Sequence, residues 1–214
     1  MKRIVLWSLV ALVIAGGIFG MVKLGAKNPA DRTGPPIDST SLSDWSKGNK
    51  EAKIVLAEYS DFQCPACGAY YPLLKQLNQE LGGEMQFVYR HFPLRQIHAN
   101  AELAARAAEA AGRQGKFWEY HDLLFENQRE WSEESGAKNI FVRYAQSLDL
   151  DTGRFTNDMD SQEIKEKVDK DYASGVKSAV DATPTFFLNG KRIQNPRSYE
   201  EFRSVIEEAV KNSS

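Results

Sequence analysis

Two cysteines, the only ones among 214 residues, stand as Cys64-Pro65-Ala66-Cys67 between the apolar run Ile54-Val55-Leu56-Ala57 and a stretch with helical spacing. The run reads as a buried strand, so the pair falls at a strand-to-helix junction. Proline is favoured at the first helical position, where its missing N–H loses no hydrogen bond. Cys64 is therefore expected as the N-cap and Cys67 as the third helical residue. In that place the Cys64 sulfur faces the unpaired N–H groups of the first turn and the positive end of the helix dipole, both of which favour thiolate over thiol. A cysteine so placed can ionise at ~3.5–7.5 instead of ~8.5. Cys67, one turn further in, can attack a mixed disulfide on Cys64 and release the partner, which is the two-thiol exchange cycle.

Two plainer readings compete. Half of a zinc site needs further ligands, and His91, His98 and His121 do not stand at paired ligand spacing, which leaves zinc shared between two copies. An inert structural disulfide is the other, but so short a closed loop constrains little of the chain. Neither accounts for the strand before and the proline-started helix after.

The length suits one domain plus attachments, and 42% hydrophobic with 11% aromatic residues is enough for a core. A net charge of -2, with no basic block interleaved with aromatics, argues against a nucleic-acid partner. Lys2 and Arg3 precede Ile4 to Val22, roughly 19 apolar residues without a charge, long enough to cross a bilayer as a helix. Residues 1–27 thus read as a signal anchor or a signal peptide. The anchor is favoured, because a cleaved signal has a shorter apolar stretch and a cleaner small-residue site than Leu24-Gly25-Ala26. The leading basic pair places the remainder on the exported side, where disulfides persist. Residues 28–50, rich in Pro, Gly, Ser, Thr and Asp, read as a linker, with Trp45 as a contact at the domain edge.

The folded domain is expected over 51–214. After the cysteines, Leu73, Leu74, Leu77 and Leu81 mark a helix that Gly82-Gly83 ends and Pro72 is expected to kink. Met85 to Tyr89 reads as a second strand. Helices are expected over Ala99–Ala111, Lys116–Gln128, Ile140–Leu148 and Ser161–Val180, with His98 and His121 as structural residues and Asp149, Asp151, Asp158 and Asp160 as a solvated acidic face. Thr185 to Leu188 returns to strand character, Asn189-Gly190 is a hairpin turn, Lys191 to Ile193 is the return strand, and Ser198-x-x-Glu201 opens a final helix.

In this order the chain resembles the thioredoxin superfamily and, within it, the DsbA-like thiol:disulfide oxidoreductases. The resemblance rests on Cys64-Pro65-Ala66-Cys67, Asp61-Phe62 before it, Pro72, Arg90-His91-Phe92-Pro93-Leu94, Gln114-Gly115-Lys116-Phe117-Trp118 and Thr183-Pro184-Thr185-Phe186, and covers about Glu51 to the C-terminus. It implies an α/β thioredoxin fold with a helical subdomain, about 95–179, inserted between the redox motif and a cis-proline loop. Thr183-Pro184 matches that loop, which in the family lies against the active-site sulfurs and pairs with an extended substrate segment. Glu58 matches the buried acid of thioredoxin-like enzymes. A carboxylate ending an apolar strand is costly unless protonated or paired, so it is expected either to move a proton to and from Cys67 or to pair with Lys53 or Arg90.

The resemblance further implies an exported oxidase that donates the Cys64–Cys67 disulfide to reduced secreted or envelope proteins. It needs no cofactor beyond that disulfide, and a membrane quinone-linked partner reoxidises it. The family commonly carries a histidine between the cysteines; Pro65-Ala66 here implies a weaker oxidant. A reductase or isomerase of the same fold is the alternative. From another class come a redox-silent tethered chaperone and a zinc-linked dimer.

Overall fold

The computed structural model describes residues 35–38, 40–41 and 43–213. The apolar run Ile4 to Val22 lies outside them, and among the described residues no helix is long and apolar enough to cross a membrane.

Strand β2 (Ile54–Ser60) is the centre of a five-stranded sheet. It pairs in parallel with β3 (Met85–His91) and antiparallel with β4 (Thr185–Leu188). β1 (Trp45–Gly48) flanks β3 and β5 (Lys191–Arg192) flanks β4, giving the order β1-β3-β2-β4-β5. A parallel pair needs a crossover, and α1 (Pro65–Leu81) supplies it between β2 and β3. The turn Asn189-Gly190 has positive φ at both residues (47° and 79°), the twist a two-residue hairpin requires.

The period-two alternation of β2 sorts its residues between two cores. Ile54 and Leu56 face the larger one, with Met85, Phe87, Tyr89 and Phe186. Ala57 and Tyr59 face the smaller, with Val88, Phe92 and Phe187. By the same alternation Glu58 points to the larger side, where α1 and Cys67 pack.

Between β3 and β4 lies the helical insertion: α2 (Ala101–Gly112), α3 (Phe117–Glu126), the short α4 (Gln128–Trp131), α5 (Ala137–Ser147), α6 (Thr152–Asp160) and α7 (Gln162–Lys177). The alanines of α2 are all buried, so neighbouring helices approach its backbone closely. Helix α8 (Tyr199–Ser213) closes the fold and buries Phe202 and Ile206.

Two expectations need correction, the extent of the linker and the number of helices in the insertion. Residues 28–50 are not linker throughout, because β1 lies within them. Trp45 stacks on Phe117 with centroids 4.4 Å apart and donates to Glu109 at 2.8 Å, so the domain begins before Trp45. α1 holds Pro72 within it and ends at Leu81 with Gly82 as its C-cap, as the spacing predicts. α6 was not expected at all; Asp151 caps it by accepting from the Arg154 N–H. Asp149, Asp151 and Asp160 are exposed, in keeping with a solvated face, and Asp158 is half-buried; Asp158 pairs with Arg113 and Arg154, and Asp160 with Arg106 and Lys138.

Candidate active site

The apolar run places Cys64 at the end of the sheet and the proline rule starts α1 beside it. Cys64 is the N-cap of α1, in extended conformation (φ -67°, ψ 121°), and Pro65 opens the helix. The turn before it is built by Asp61, which accepts from the backbone of Gln63 at 2.7 Å and of Leu94 at 2.9 Å, and from His98 Nδ1 at 2.7 Å. Gln63 accepts from the Asn100 N–H and donates to the Ser132 carbonyl, so the insertion grips the turn from outside. Asp61 and His98 are thus scaffolding of the cysteine turn.

The two sulfurs differ in setting. Both cysteines are free thiols in this structure. Cys67 is sealed in the core at 1% exposure, while Cys64, at 7%, stands beside the exposed Pro65 and Ala66. The Thr183-Pro184 bond is cis, and the Cys64 Sγ lies 3.4 Å from the Thr183 carbonyl oxygen, to which the thiol donates. A hydrogen bond from Cys67 holds the Cys64 thiol down at about 5; burial opposes, and the first-turn N–H groups of Ala66 and Cys67 help. Burial, the hydrogen bond to Cys64 and the charge of Glu58 push Cys67 well up. The result is one thiolate and one thiol at neutral pH, the state from which disulfide exchange proceeds.

Glu58 is 2% exposed, and burial pushes its carboxyl up to about 7, against a 2.8 Å hydrogen bond from Ser60 Oγ and the charge of Lys47. Neither partner named from the sequence is paired with it. Arg90 forms a buried ion pair with Asp44 at 2.8 Å, and Lys53 donates to the Ser213 carbonyl. Glu58 and Cys67 instead line one cavity of about 10 Å³ together with Lys47, Tyr71, Lys75 and His121, a volume that suits about one water. Lys47 belongs to β1, inside the segment read as linker, and His121 to α3.

His91 converges with Glu109 and Asp171, which sequence spacing did not reveal: the three offer ligating atoms within 4.8 Å of one another. His91 Nε2 meets Glu109 at 2.9 Å. The Lys167 ammonium sits 2.5 Å from Asp171 and 3.7 Å from Glu109, supplying the positive charge these carboxylates need.

The comparisons agree with this geometry. A family model described as Thioredoxin matches residues 40–208. Among solved structures, oxidised BdbD from Bacillus subtilis superposes with a TM-score of 0.72 at 24% identity, over 84% of this chain and 97% of that one. Alpha-DsbA1 from Wolbachia pipientis gives 0.72 at 19% identity, over 81% and 94%. Both carry the architecture found here. Among curated proteins, a Na(+)/H(+) antiporter NhaA 3 from Salinispora tropica is 37% identical over 171 residues, 80% of this chain. The chain spans only about a quarter of the length of that relative and of its counterpart from Salinispora arenicola. The matched family model, the sheet order and the cysteine pair facing a cis-proline show that the chain belongs to the thioredoxin family and carries its DsbA-like form, the fold of thiol:disulfide oxidoreductases.

Proposed function

We propose that this protein is a thiol:disulfide oxidoreductase acting as an oxidase, which gives up its Cys64–Cys67 disulfide to reduced proteins on the exported side of a membrane. The observation that carries the reading is the pairing of unequal sulfurs: Cys64 capping α1 and facing Thr183, with its thiolate stable near pH 5, and Cys67 buried behind it. A stable thiolate favours the reduced enzyme and makes its disulfide the more willing oxidant, by about 30 mV for each unit the pKa is lowered. The value of about 5 lies between those of thioredoxin (~7) and DsbA (~3.5), consistent with a moderate oxidant that lacks a histidine between the cysteines.

In the proposed reaction a substrate thiolate attacks Cys64 Sγ and the Cys64–Cys67 bond breaks. Cys67 leaves as a thiolate and takes a proton from Glu58, whose carboxyl near 7 is matched to that transfer at neutral pH. A second substrate thiolate attacks the substrate sulfur of the mixed disulfide and Cys64 departs as a thiolate. The substrate has lost two electrons and the enzyme's disulfide has gained them. The cis Thr183-Pro184 loop faces the attacked sulfur and offers its backbone to an extended substrate segment. A membrane quinone-linked partner then restores the disulfide.

The test is the equilibrium of Cys64 and Cys67 against glutathione, together with oxidative refolding of a reduced secreted protein. A potential above that of thioredoxin, with disulfides delivered to the substrate, supports the oxidase. A potential at or below it assigns the protein to reduction, and metal bound by the purified protein in place of turnover removes the enzyme reading.

A further inference from the structure

We propose that His121, backed by Asp122, is a positioning residue that passes protons between the cavity holding Glu58 and the solvent, so that Glu58 can recharge after each exchange at Cys67. The inference rests on the oxidoreductase reading above and deepens it.

Glu58 is nearly sealed, so a proton it gives to Cys67 must be replaced through the protein. The cavity it shares with Cys67 is lined by few groups able to carry one. Lys47 comes from β1, Tyr71 and Lys75 from α1, and His121 from α3; His91 and Tyr89 of β3 lie near the imidazole as well. Tyr71 donates to Glu126 and receives from Lys75, both at 2.8 Å, and Lys75 is held by Glu126 and Asp122. Tyr71 and Lys75 are thus engaged with each other and with carboxylates.

His121 differs. Its ring is fixed edge-on by Phe62, Tyr89, Trp118 and Phe125, with centroids 5.0–5.6 Å away. Nδ1 lies 2.9 Å from the Asp122 carboxylate. A carboxylate accepts, so Nδ1 carries the hydrogen and Nε2 the lone pair. Burial pulls the imidazole down to about 4, opposed by Asp122, so the ring is neutral and free to accept. Asp122 is 27% exposed and reaches water. In the discharging direction Nε2 takes a proton from the Glu58 side of the cavity, Nδ1–H passes to Asp122, and Asp122 releases it to solvent. Discharging leaves the hydrogen on Nε2, and recharging starts from that ring: Nε2–H passes to Glu58, Nδ1 takes a proton from solvent through Asp122, and the first tautomer returns, so the two directions alternate and no net charge stays on the ring.

A purely structural His121 would fill the same aromatic box, which His121→Phe preserves. The test follows the steady-state rate at which the full chain, over many turnovers, oxidises a dithiol peptide with glutathione disulfide across pH, for wild type, His121→Phe, Glu58→Gln and the double variant. Expected for His121→Phe is a rate about tenfold lower at pH 7 with the glutathione equilibrium constant changed by less than about twofold. The double variant should be no slower than Glu58→Gln alone, because both changes interrupt one route. Asp122→Asn, at a half-exposed position, gives the same comparison where His121→Phe does not fold. Losses that simply add, or an unchanged rate and pH profile, overturn the relay while leaving the exchange reading standing. A wild-type chain inert toward glutathione overturns both.

Discussion

The Gln128 carboxamide donates to the backbone carbonyl of Cys64 at 2.9 Å and to that of Phe62 at 2.7 Å, so a residue of α4 in the insertion holds the cysteine turn of the sheet. A Cβ on Gly68 would stand 2.7 Å from Gln128 Oε1, and glycine leaves that space to the amide. Gln128→Ala removes two hydrogen bonds of ~1 kcal/mol each and should lower Tm by a few degrees. Gly68→Ala should do less to Tm, since alanine favours a helix interior by up to ~1 kcal/mol. It should still displace the amide and raise the Cys64 pKa. Thermal melts and thiolate absorbance titrations of both variants check this.

How much of this arrangement was legible beforehand follows the range of the forces involved. Cys64 at the cap and Pro65 behind it are set by neighbours in sequence, and the cis-proline loop and the inserted helices were readable from ordered motifs. Lys47 and Trp45 were hidden because β1 is short and polar, and its pairing with β3 is decided by the distant Phe117 and Glu109. α6 escaped because only Phe155 and Met159 of its nine residues are buried, too few for a periodic signal. His121 reads as one more aromatic in a stripe until Glu58, from a strand far back in the chain, meets it across a cavity.

Reduced and oxidised protein should differ in their response to pH. The Cys64 thiol is depressed to about 5 in the folded reduced chain, so unfolding takes up a proton between about pH 5 and 9. Stability of the reduced form therefore rises with pH over that window and is lost as pH falls through 5. The disulfide form has no such ionisation. Denaturant titrations from pH 4 to 8 should show the reduced form gaining on the oxidised one as pH rises.

Glu58 has the opposite sign. Its folded pKa, raised to about 7 from 4.5, means that the native state binds a proton the unfolded chain has released. Stability is full below about 4.5 and declines as pH rises through 7, by ~3 kcal/mol. Glu58→Gln should abolish that decline and leave the protein more stable than wild type at pH 8. It should also slow reduction of the disulfide by at least about tenfold. Urea unfolding at several pH values and stopped-flow exchange separate the two effects.

Trp45 lies in a slot that Gly112 opens, where a Cβ would come within 2.3 Å of the indole. Trp45→Ala should cost about 3–5 kcal/mol through lost packing on Phe117 and an unpaired Glu109. A chain begun at Glu51 should fail to give a cooperative melt, whereas one begun at Gly34 should give one.

The unequal burial of the two sulfurs also makes the molecule a hook. Only Cys64 is presented outward, so any visiting protein joins there, and release of a stalled visitor depends on the sulfur concealed behind. With Cys67→Ser that escape is removed, and a visitor whose own disulfide is opened by the Cys64 thiolate stays covalently fastened. Recovered with their cargo under non-reducing conditions, such chains would identify the clients by mass, and reducing agent would set them free.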